Sequence, residues 1–427
     1  MLTRLEHVYH EFPRRFWIVV GVSFIDRVGG TLLFPFFALY ITQRFGVGMT
    51  QAGVILGLFS LFGLFGGMIG GALTDRLGRR RLILFGLVFS AISTLALGAV
   101  NEFATLYPLA VIIGLLSDIA GPAHGAMIAD ILPEHQRQEG FGILRVVGNL
   151  AWIIGPTIGG FVASKSFLVL FITDAVISCL VAVLFYRLMP ETKPEHAPDQ
   201  PPESLLTTFA NYRLVVRDLA YLAFLGAGML MGLVYQQMYN SLSVYLRDQH
   251  GIDPQGYGLL LTTSAITVIL FQFSVTRFIK HRPPFLMMAA GTLFYLIGFG
   301  MFGVVTVYGL FALAIIIITI GEMIVMPTTQ ALAANFAPVE MRGRYMALFG
   351  LTWALPATIG PGAAGIILDN YNPNWLWYIG AGLCAISALS FFALHRRLGA
   401  QARFAPAAAE DAVPESGTPD PGTLSAD

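Results

Sequence analysis

The chain alternates between long apolar runs and short breaks made of charged residues, glycine and proline. A helix of about 20 mainly apolar residues crosses the roughly 30 Å hydrocarbon core of a bilayer. Cutting the chain at its charged and turn-forming breaks leaves twelve runs of that kind. Their approximate limits are 16–43, 50–74, 81–100, 103–131, 140–164, 167–189, 217–246, 256–278, 284–305, 307–336, 343–368 and 373–395. The first run carries Asp26 and Arg27 and is followed by no small-residue cleavage site, so it reads as a span and not as a signal peptide. Pro190 to about Arg213 is rich in Pro, Glu and Asp and is expected to be solvated. The stretch after Gly399, rich in Ala, Pro, Glu and Asp, is expected to be disordered. The pattern predicts an all-α membrane protein. It has a six-helix bundle over 1–189, a cytoplasmic linker over 190–215, a second six-helix bundle over 216–397 and a cytoplasmic tail over 398–427.

Composition agrees with lipid as the solvent. Of 427 residues, 56% are hydrophobic and only 12% charged, with a mean hydropathy of +0.71. A soluble domain carries roughly twice that charged fraction. Lys plus Arg equals Asp plus Glu at 25 each, so net charge gives no hint of an acidic partner or of nucleic acid. The distribution is more informative. With the N-terminus in the cytoplasm, twenty basic residues fall on that side and three, Arg44, Lys165 and Arg247, on the other. This bias predicts cytoplasmic termini. Cys179 and Cys384 both lie in apolar runs, far apart and without metal-ligand spacing, and read as buried free thiols.

The chain also repeats at an offset of 205 residues. Tyr40 meets Tyr245, Gly46 meets Gly251, Gly53 meets Gly258, Gly86 meets Gly291 and Pro122 meets Pro327. Gly155, Pro156 and Gly160 meet Gly360, Pro361 and Gly365. Apolar composition produces chance matches of Leu and Val, not this series of Gly and Pro. Six spans per half is an even number, so both halves enter from the same side and form parallel repeats, with the substrate site expected between them.

Two segments carry a family resemblance. The break between spans 2 and 3 reads Gly71-Ala72-Leu73-Thr74-Asp75-Arg76-Leu77-Gly78-Arg79-Arg80-Arg81. It resembles the signature loop of the major facilitator superfamily. The resemblance implies a cytoplasmic latch built from Gly71, Asp75, Arg76, Gly78, Arg79 and Asp130. In it Asp75 caps the start of span 11 and Arg79 pairs with Asp130 at the end of span 4. Span 5 carries Gly142, Ala151 and then Gly155-Pro156-Thr157-Ile158-Gly159-Gly160. It resembles the motif of the antiporter branch, with Ala151 in place of one glycine. Small residues at these spacings let helices pack backbone to backbone. The resemblance spans nearly the whole chain and implies the twelve-helix bacterial drug:proton antiporter branch, in the inner (plasma) membrane. The arginine that such antiporters usually carry in span 4, expected near Ala110, is missing.

Ionisable residues near mid-membrane are functional candidates because their insertion is costly. By a rise of 1.5 Å per residue, Asp26, Asp118 and Glu322 lie about 15, 18 and 21 Å into spans 1, 4 and 10. In the family these spans line the central cavity, so all three are proton-coupling candidates, Asp26 first. A structural pair with a nearby arginine is the alternative for Asp26; for Asp118 and Glu322 the alternatives are a substrate contact and a structural role. Arg27 and Arg145 are candidate replacements for the missing cation. Asp174 and His124 read as structural. In span 7, Tyr235, Gln236, Gln237, Tyr239 and Asn240 form a polar and aromatic cluster suited to a cavity rather than to lipid.

These features predict a proton-coupled exporter of small amphipathic organic compounds. It is expected to be a monomer in the bilayer, with no cofactor beyond the coupling proton, no nucleic-acid partner and no enzymatic activity. No Gly-x-x-x-x-Gly-Lys-Ser/Thr run for ATP occurs. A nutrient or peptide symporter and a lipid or glycolipid flippase of the same fold are the alternatives. A membrane enzyme or receptor finds no support in metal, nucleophile or domain signals.

Overall fold

A computed structural model describes residues 11–193, 215–338, 341–401 and 404, without the side chains at 72, 75, 134, 135, 138, 342 and 343. Most of the predicted linker and tail therefore lies outside the described residues. Among the described residues, twelve helices are long and apolar enough to cross a membrane. The first six are α1 (Arg14–Phe45), α2 (Met49–Gly71), α3 (Arg79–Ala99), α4 (Phe103–Ile131), α5 (Glu139–Ala163) and α6 (Phe167–Leu188). The second six are α7 (Leu219–Asn240), α8 (Pro254–Ile279), α9 (Pro284–Phe302), α10 (Tyr308–Phe336), α11 (Arg344–Asn370) and α12 (Trp375–Leu398). They form two six-helix bundles. Ile92, Phe161, Val176, Ile269, Phe273 and Leu389 are exposed, as lipid-facing side chains should be. Cys179 is exposed too, against the expectation of two buried thiols, because it lies on such an outward face of α6; Cys384 is buried.

Several spans break where a side chain or a missing N–H disturbs the helical ladder. In α4 a 3-10 turn covers Asp118–Ala120. Pro122, four residues after Asp118, has no N–H to donate to its carbonyl. In α1 a 3-10 turn at Phe34–Phe36 surrounds Pro35. In α7 regular helix stops at Tyr235, resumes over Gln237–Asn240 and again over Leu242–His250.

The repeat recurs as repeated contacts. Tyr40 Oη donates to the Leu97 carbonyl at 3.1 Å, and Tyr245 Oη to the Phe302 carbonyl at 2.9 Å. Both donors and both acceptors are 205 residues apart. Gly46 and Gly251 end their helices in the left-handed conformation, with φ of 62° and 64°. Only a residue without Cβ adopts that conformation without strain.

The bundles meet through α2 with α11 and α5 with α8. A Cβ on Gly53 would collide with the Pro361 backbone, and one on Gly258 would lie 2.8 Å from the Pro156 carbonyl oxygen. These are the same contact in the two halves. The helix caps nearby differ. Asp253 caps its own helix α8, accepting from Gly256 N at 2.8 Å. The equivalent residue before α2 is Gly48, which has no side chain to do this. Asp369, at the end of α11 in the other bundle, takes its place and accepts from Met49 N at 2.8 Å and Thr50 N at 2.7 Å. Arg247 Nη1 also donates to Thr42 Oγ1 at 2.9 Å across the bundles. This end of the molecule is closed.

At the opposite end, Gly78 turns the chain between α2 and α3 with φ of 91°. Arg79 Nε pairs with Asp130 Oδ2 at 2.9 Å, as the family resemblance implies. The Asp75 side chain, predicted to cap α11, lies outside the described residues, and Arg76 is exposed. A Cβ on Gly71 would meet nothing within 4 Å. The close approach expected of Gly71 belongs instead to Gly70, where a Cβ would strike the Ile119 backbone of α4. Glu191 reaches in from beyond α6 and accepts from Arg79 N at 2.9 Å and Arg80 N at 3.2 Å, capping α3. Burial works to raise its carboxyl. The backbone N–H groups of Lys193, Arg80, Arg79 and Thr192 outweigh that and hold it below the usual glutamate range.

Two predictions follow from these caps. Asp369→Ala should lower stability by about 1–2 kcal/mol, read by thermal unfolding in detergent. It should also raise thiol labelling of a cysteine placed at the fully buried Ala52, in a background lacking Cys179 and Cys384. Asp253→Ala should lower stability without raising that labelling. For Glu191, a lowered carboxyl adds stability at neutral pH that disappears as pH falls through and below about 4. Thermal unfolding between pH 3 and 6 (roughly the glutamate range) should show this acid loss in the wild type and a smaller one in Glu191→Gln.

Candidate functional site

A cavity of about 770 Å³ lies between the bundles, within the range of drug-sized sites. Its walls are helical stripes. Arg145, Asn149, Trp152 and Pro156 form one face of α5. Leu261, Ala265, Val268, Gln272 and Thr276 do the same on α8, and Glu322, Met326 and Gln330 on α10. Spacings of three and four residues put each set on one side of its helix. These stripes run from the middle of the spans toward the end opposite Asp369.

Of the lining residues Glu322 is the one acid and Arg145 the one base. Glu322 stands beside a tyrosine cluster. The Tyr235 hydroxyl is positioned to donate to it, and Tyr239 and Tyr295 are near enough to feel its charge. The Tyr235 and Tyr239 hydroxyls are 3.2 Å apart. Tyr295 is fully buried, and its hydroxyl has no hydrogen-bond partner among the described residues. Aromatic rings extend the wall. Tyr239 meets Trp152 at 4.9 Å between centroids, Trp152 meets Phe34 at 6.1 Å, and Tyr235 meets Trp353 edge-on at 5.9 Å. Arg145 Nη2 donates to Gln330 Oε1 and so links α5 of one bundle to α10 of the other. Gln330 is eight residues past Glu322, about 12 Å along the helix axis.

The predicted site residues divide. Glu322, Arg145, Tyr235, Gln236 and Tyr239 come together at the cavity. Gln237 and Asn240 do not line it and are buried. At 100° per residue Gln237 points away from the face shared by Tyr235 and Tyr239. Its amide donates to the Leu233 carbonyl at 2.9 Å and accepts from Ser241 Oγ at 2.7 Å. Asp26 and Asp118 are also absent from the lining. Asp26 lies within electrostatic reach of Asp174, which is buried and accepts from Thr94 Oγ1 at 2.8 Å. Asp118 is exposed at the break in α4, next to Gly67 of α2. Arg27 packs on Gly148 of α5, where a Cβ would lie 3.1 Å from its Nη1.

The span-5 motif is a packing device with one idle member. Gly155 and Gly159 lie against Thr31, Leu32 and Phe36 of α1, and Gly160 against Pro254 and Gly258 of α8. Thr31 Oγ1 donates to the Ala151 carbonyl at 3.0 Å. Gly142 is exposed, and a Cβ there would touch nothing.

Trp152, Trp353, Tyr295 and Gln330 escaped the sequence reading. A tryptophan in an apolar run gives no sign of which face it occupies. Gln330, a lone polar residue in helical register with Glu322, was the legible one.

Comparison with known proteins places this geometry in a family. The sequence profile of the Major Facilitator Superfamily matches residues 19–354 and 236–418. A Na(+), Li(+), K(+)/H(+) antiporter of Planococcus maritimus is 27% identical over 359 residues, covering 77% of this chain and 84% of that protein. The quinolone resistance protein NorA of Staphylococcus aureus (strain MSSA476) is 24% identical, covering 87% of this chain and 95% of that one. Among solved structures, a POT family transporter in complex with 5-aminolevulinic acid has a TM-score of 0.77 at 18% identity, covering 90% and 96% of the two chains. The nucleoside transporter NupG has a TM-score of 0.76 at 13% identity, covering 89% and 100%. With both bundles matched by one profile and twelve spans folded as two repeated sixes, the chain belongs to the major facilitator superfamily of membrane transporters.

Proposed function

We propose that this transporter is a proton-coupled antiporter that exports amphipathic organic compounds by alternating access, with Glu322 as the group that exchanges substrate for proton. The observation that carries this reading is the single carboxylate in an aromatic cavity closed at one end. Among the described residues Glu322 has no ion pair, and Arg145, the one base of the lining, bonds Gln330 two turns along α10 instead. A carboxylate in a low-dielectric wall favours its neutral form, and a bound cation favours the charged one. Proton and substrate therefore exclude each other, which is the elementary requirement of exchange. Tyrosine and tryptophan faces add attraction for an organic cation.

The positive-inside bias supports a cytoplasmic Arg79 end, and the drug-antiporter resemblance supports a bacterial plasma membrane. On that assignment the Asp369 end is the outer gate, and the conformation faces inward. The two bundles rock about the cavity, and a monomer suffices. Asp26 and Asp118, away from the cavity, act in neither substrate nor proton binding in this scheme. The relative's monovalent-cation exchange is a second reading. The aromatic lining favours an organic substrate over a hard cation, which prefers several oxygen ligands.

Proteoliposomes with an imposed pH gradient test the assignment. Glu322→Gln should reduce gradient-driven exchange of a fluorescent organic cation by about tenfold or more, the scale of a lost charged contact. Asp26→Asn should retain most of it. The reverse pattern would move the exchange site to Asp26 and sink the role given to Glu322. Accumulation of the dye together with protons would sink the exporter reading.

A further inference from the structure

We propose that a second pocket, on the lipid-facing side of the first bundle at the Asp369 end, binds an anionic phospholipid. The phosphate sits on Arg44 and an acyl chain lies on Phe167, Leu168 and Phe171. The proposal is independent of the central cavity. This pocket holds about 410 Å³ between α1, α3 and α6. Tyr40, Gln43 and Arg44 come from the last turns of α1, Gly98 from the end of α3, and Phe167, Leu168 and Phe171 from the start of α6.

Its two levels differ in chemistry. At the rim, Arg44 is the one charged residue of the lining. Its Nη2 donates to Asn101 Oδ1 at 3.0 Å, which steadies the guanidinium there. Among the described residues it has no carboxylate partner. Two exposed charges flank the rim in the chain, Glu102 after Asn101 and Lys165 two residues before Phe167. Below the rim the wall is apolar. The Tyr40 ring meets Phe171 at 4.7 Å and Phe167 at 5.6 Å, and its hydroxyl is already bonded to the Leu97 carbonyl. Phe171 lies four residues, about 6 Å, deeper along α6 than Phe167. Leu168, Val169 and Ile172 are exposed, so the pocket opens toward lipid. A guanidinium at the end of a span, above rings that face the hydrocarbon, matches a phosphate above its acyl chain. A free anion would answer the rim alone, and a lipid without net charge would leave Arg44 unanswered.

The repeat shows that the fold does not force this opening. In the second half the same place is filled. Tyr378 of α12 lies across Gly303, the counterpart of Gly98. A Cβ on Gly303 would be 2.5 Å from its ring, and its hydroxyl donates to the Gly303 carbonyl at 2.7 Å. Asn374 Oδ1 accepts from Tyr245, the counterpart of Tyr40, at 2.7 Å. In the first half Thr173 stands at the position of Tyr378 and bonds its own helix, at the Val169 carbonyl, 2.8 Å away. Arg44 has Gln249 as its counterpart. The open half thus carries the cation, and the plugged half lacks it.

Native mass spectrometry of the full chain, delipidated in detergent, tests this with variants that copy the second half. The probes are dioleoylphosphatidylglycerol, which is anionic, and dioleoylphosphatidylcholine, which has no net charge. Wild type should bind one phosphatidylglycerol about fivefold more tightly than phosphatidylcholine, the scale of one basic residue at a membrane surface. Arg44→Gln should remove the preference, and Arg44→Lys should keep part of it. Thr173→Tyr should fill the pocket and remove the bound lipid. Phosphatidylglycerol should raise the thermal unfolding midpoint of wild type, and that rise should be absent in Thr173→Tyr. If Thr173→Tyr does not fold, the Arg44 pair decides. Equal affinity of wild type for the two lipids overturns the proposal, as does a preference that survives Arg44→Gln. Undiminished lipid binding by a folded Thr173→Tyr overturns it too. Displacement of phosphatidylglycerol by inorganic phosphate would assign the rim to a free anion and overturn the lipid reading.

Discussion

Everything else in the structure hangs on how α2 and α11 hold the two bundles together at one end. In lipid, apolar surface gives no driving force for helix association, so contact must come from close backbone approach and from satisfied polar groups. Gly53 and Gly57 of α2 and Gly365 of α11 supply the approach. Asp369 supplies the polar term by serving two N–H groups that α2 cannot satisfy itself. In the repeat-related position the cap is local, from Asp253. The same chemistry is thus a folding element in one half and a bond between halves in the other. The two hydrogen bonds are set at a helix end, beside the glycine contacts of the same two helices.

The cavity follows from that closure. With the bundles pinned at the Asp369 end, the stripes of α5, α8 and α10 that run toward the other end face an open space. The charges left there, Glu322 and Arg145, are the ones the packing cannot neutralise. Breaks at Asp118 in α4 and at Gln236 in α7 lie near mid-span, where freed backbone groups are tolerated beside protein or a polar space but not beside lipid. The helix defects and Glu322 therefore occupy one level of the molecule, from which the cavity runs about 12 Å along α10 to Gln330 and Arg145.

Much of this was legible in the chain. Span count, repeat and family loop follow from signals that survive averaging: apolar length, an offset of 205 and a run of Gly and Arg. Tyr40 and Tyr245 show the repeat reaching as far as single hydrogen bonds. Depth alone could not rank Asp26, Asp118 and Glu322, because depth says nothing about which way a side chain faces. Counting helical angles from Tyr235 would have separated Gln237 from its neighbours. Partners brought together only by tertiary contact were out of reach. Nothing near Asp369 points to Met49, 320 residues away, and Glu191 reads as part of a solvated linker until the fold sets it on α3.

The central claim is that the two ends of the bundle pair open in alternation around one cavity. Spin labels at Gln43 and Asn372 report the end held by Asp369, and labels at Arg81 and Arg282 report the other; all four positions are exposed. Pulsed dipolar distances in lipid nanodiscs, taken while pH is varied, follow both pairs. The account predicts opposite shifts: as the Gln43–Asn372 distance lengthens, the Arg81–Arg282 distance shortens, and Glu322→Gln abolishes the pH response. Distances that change together, or a response that survives Glu322→Gln, would contradict it.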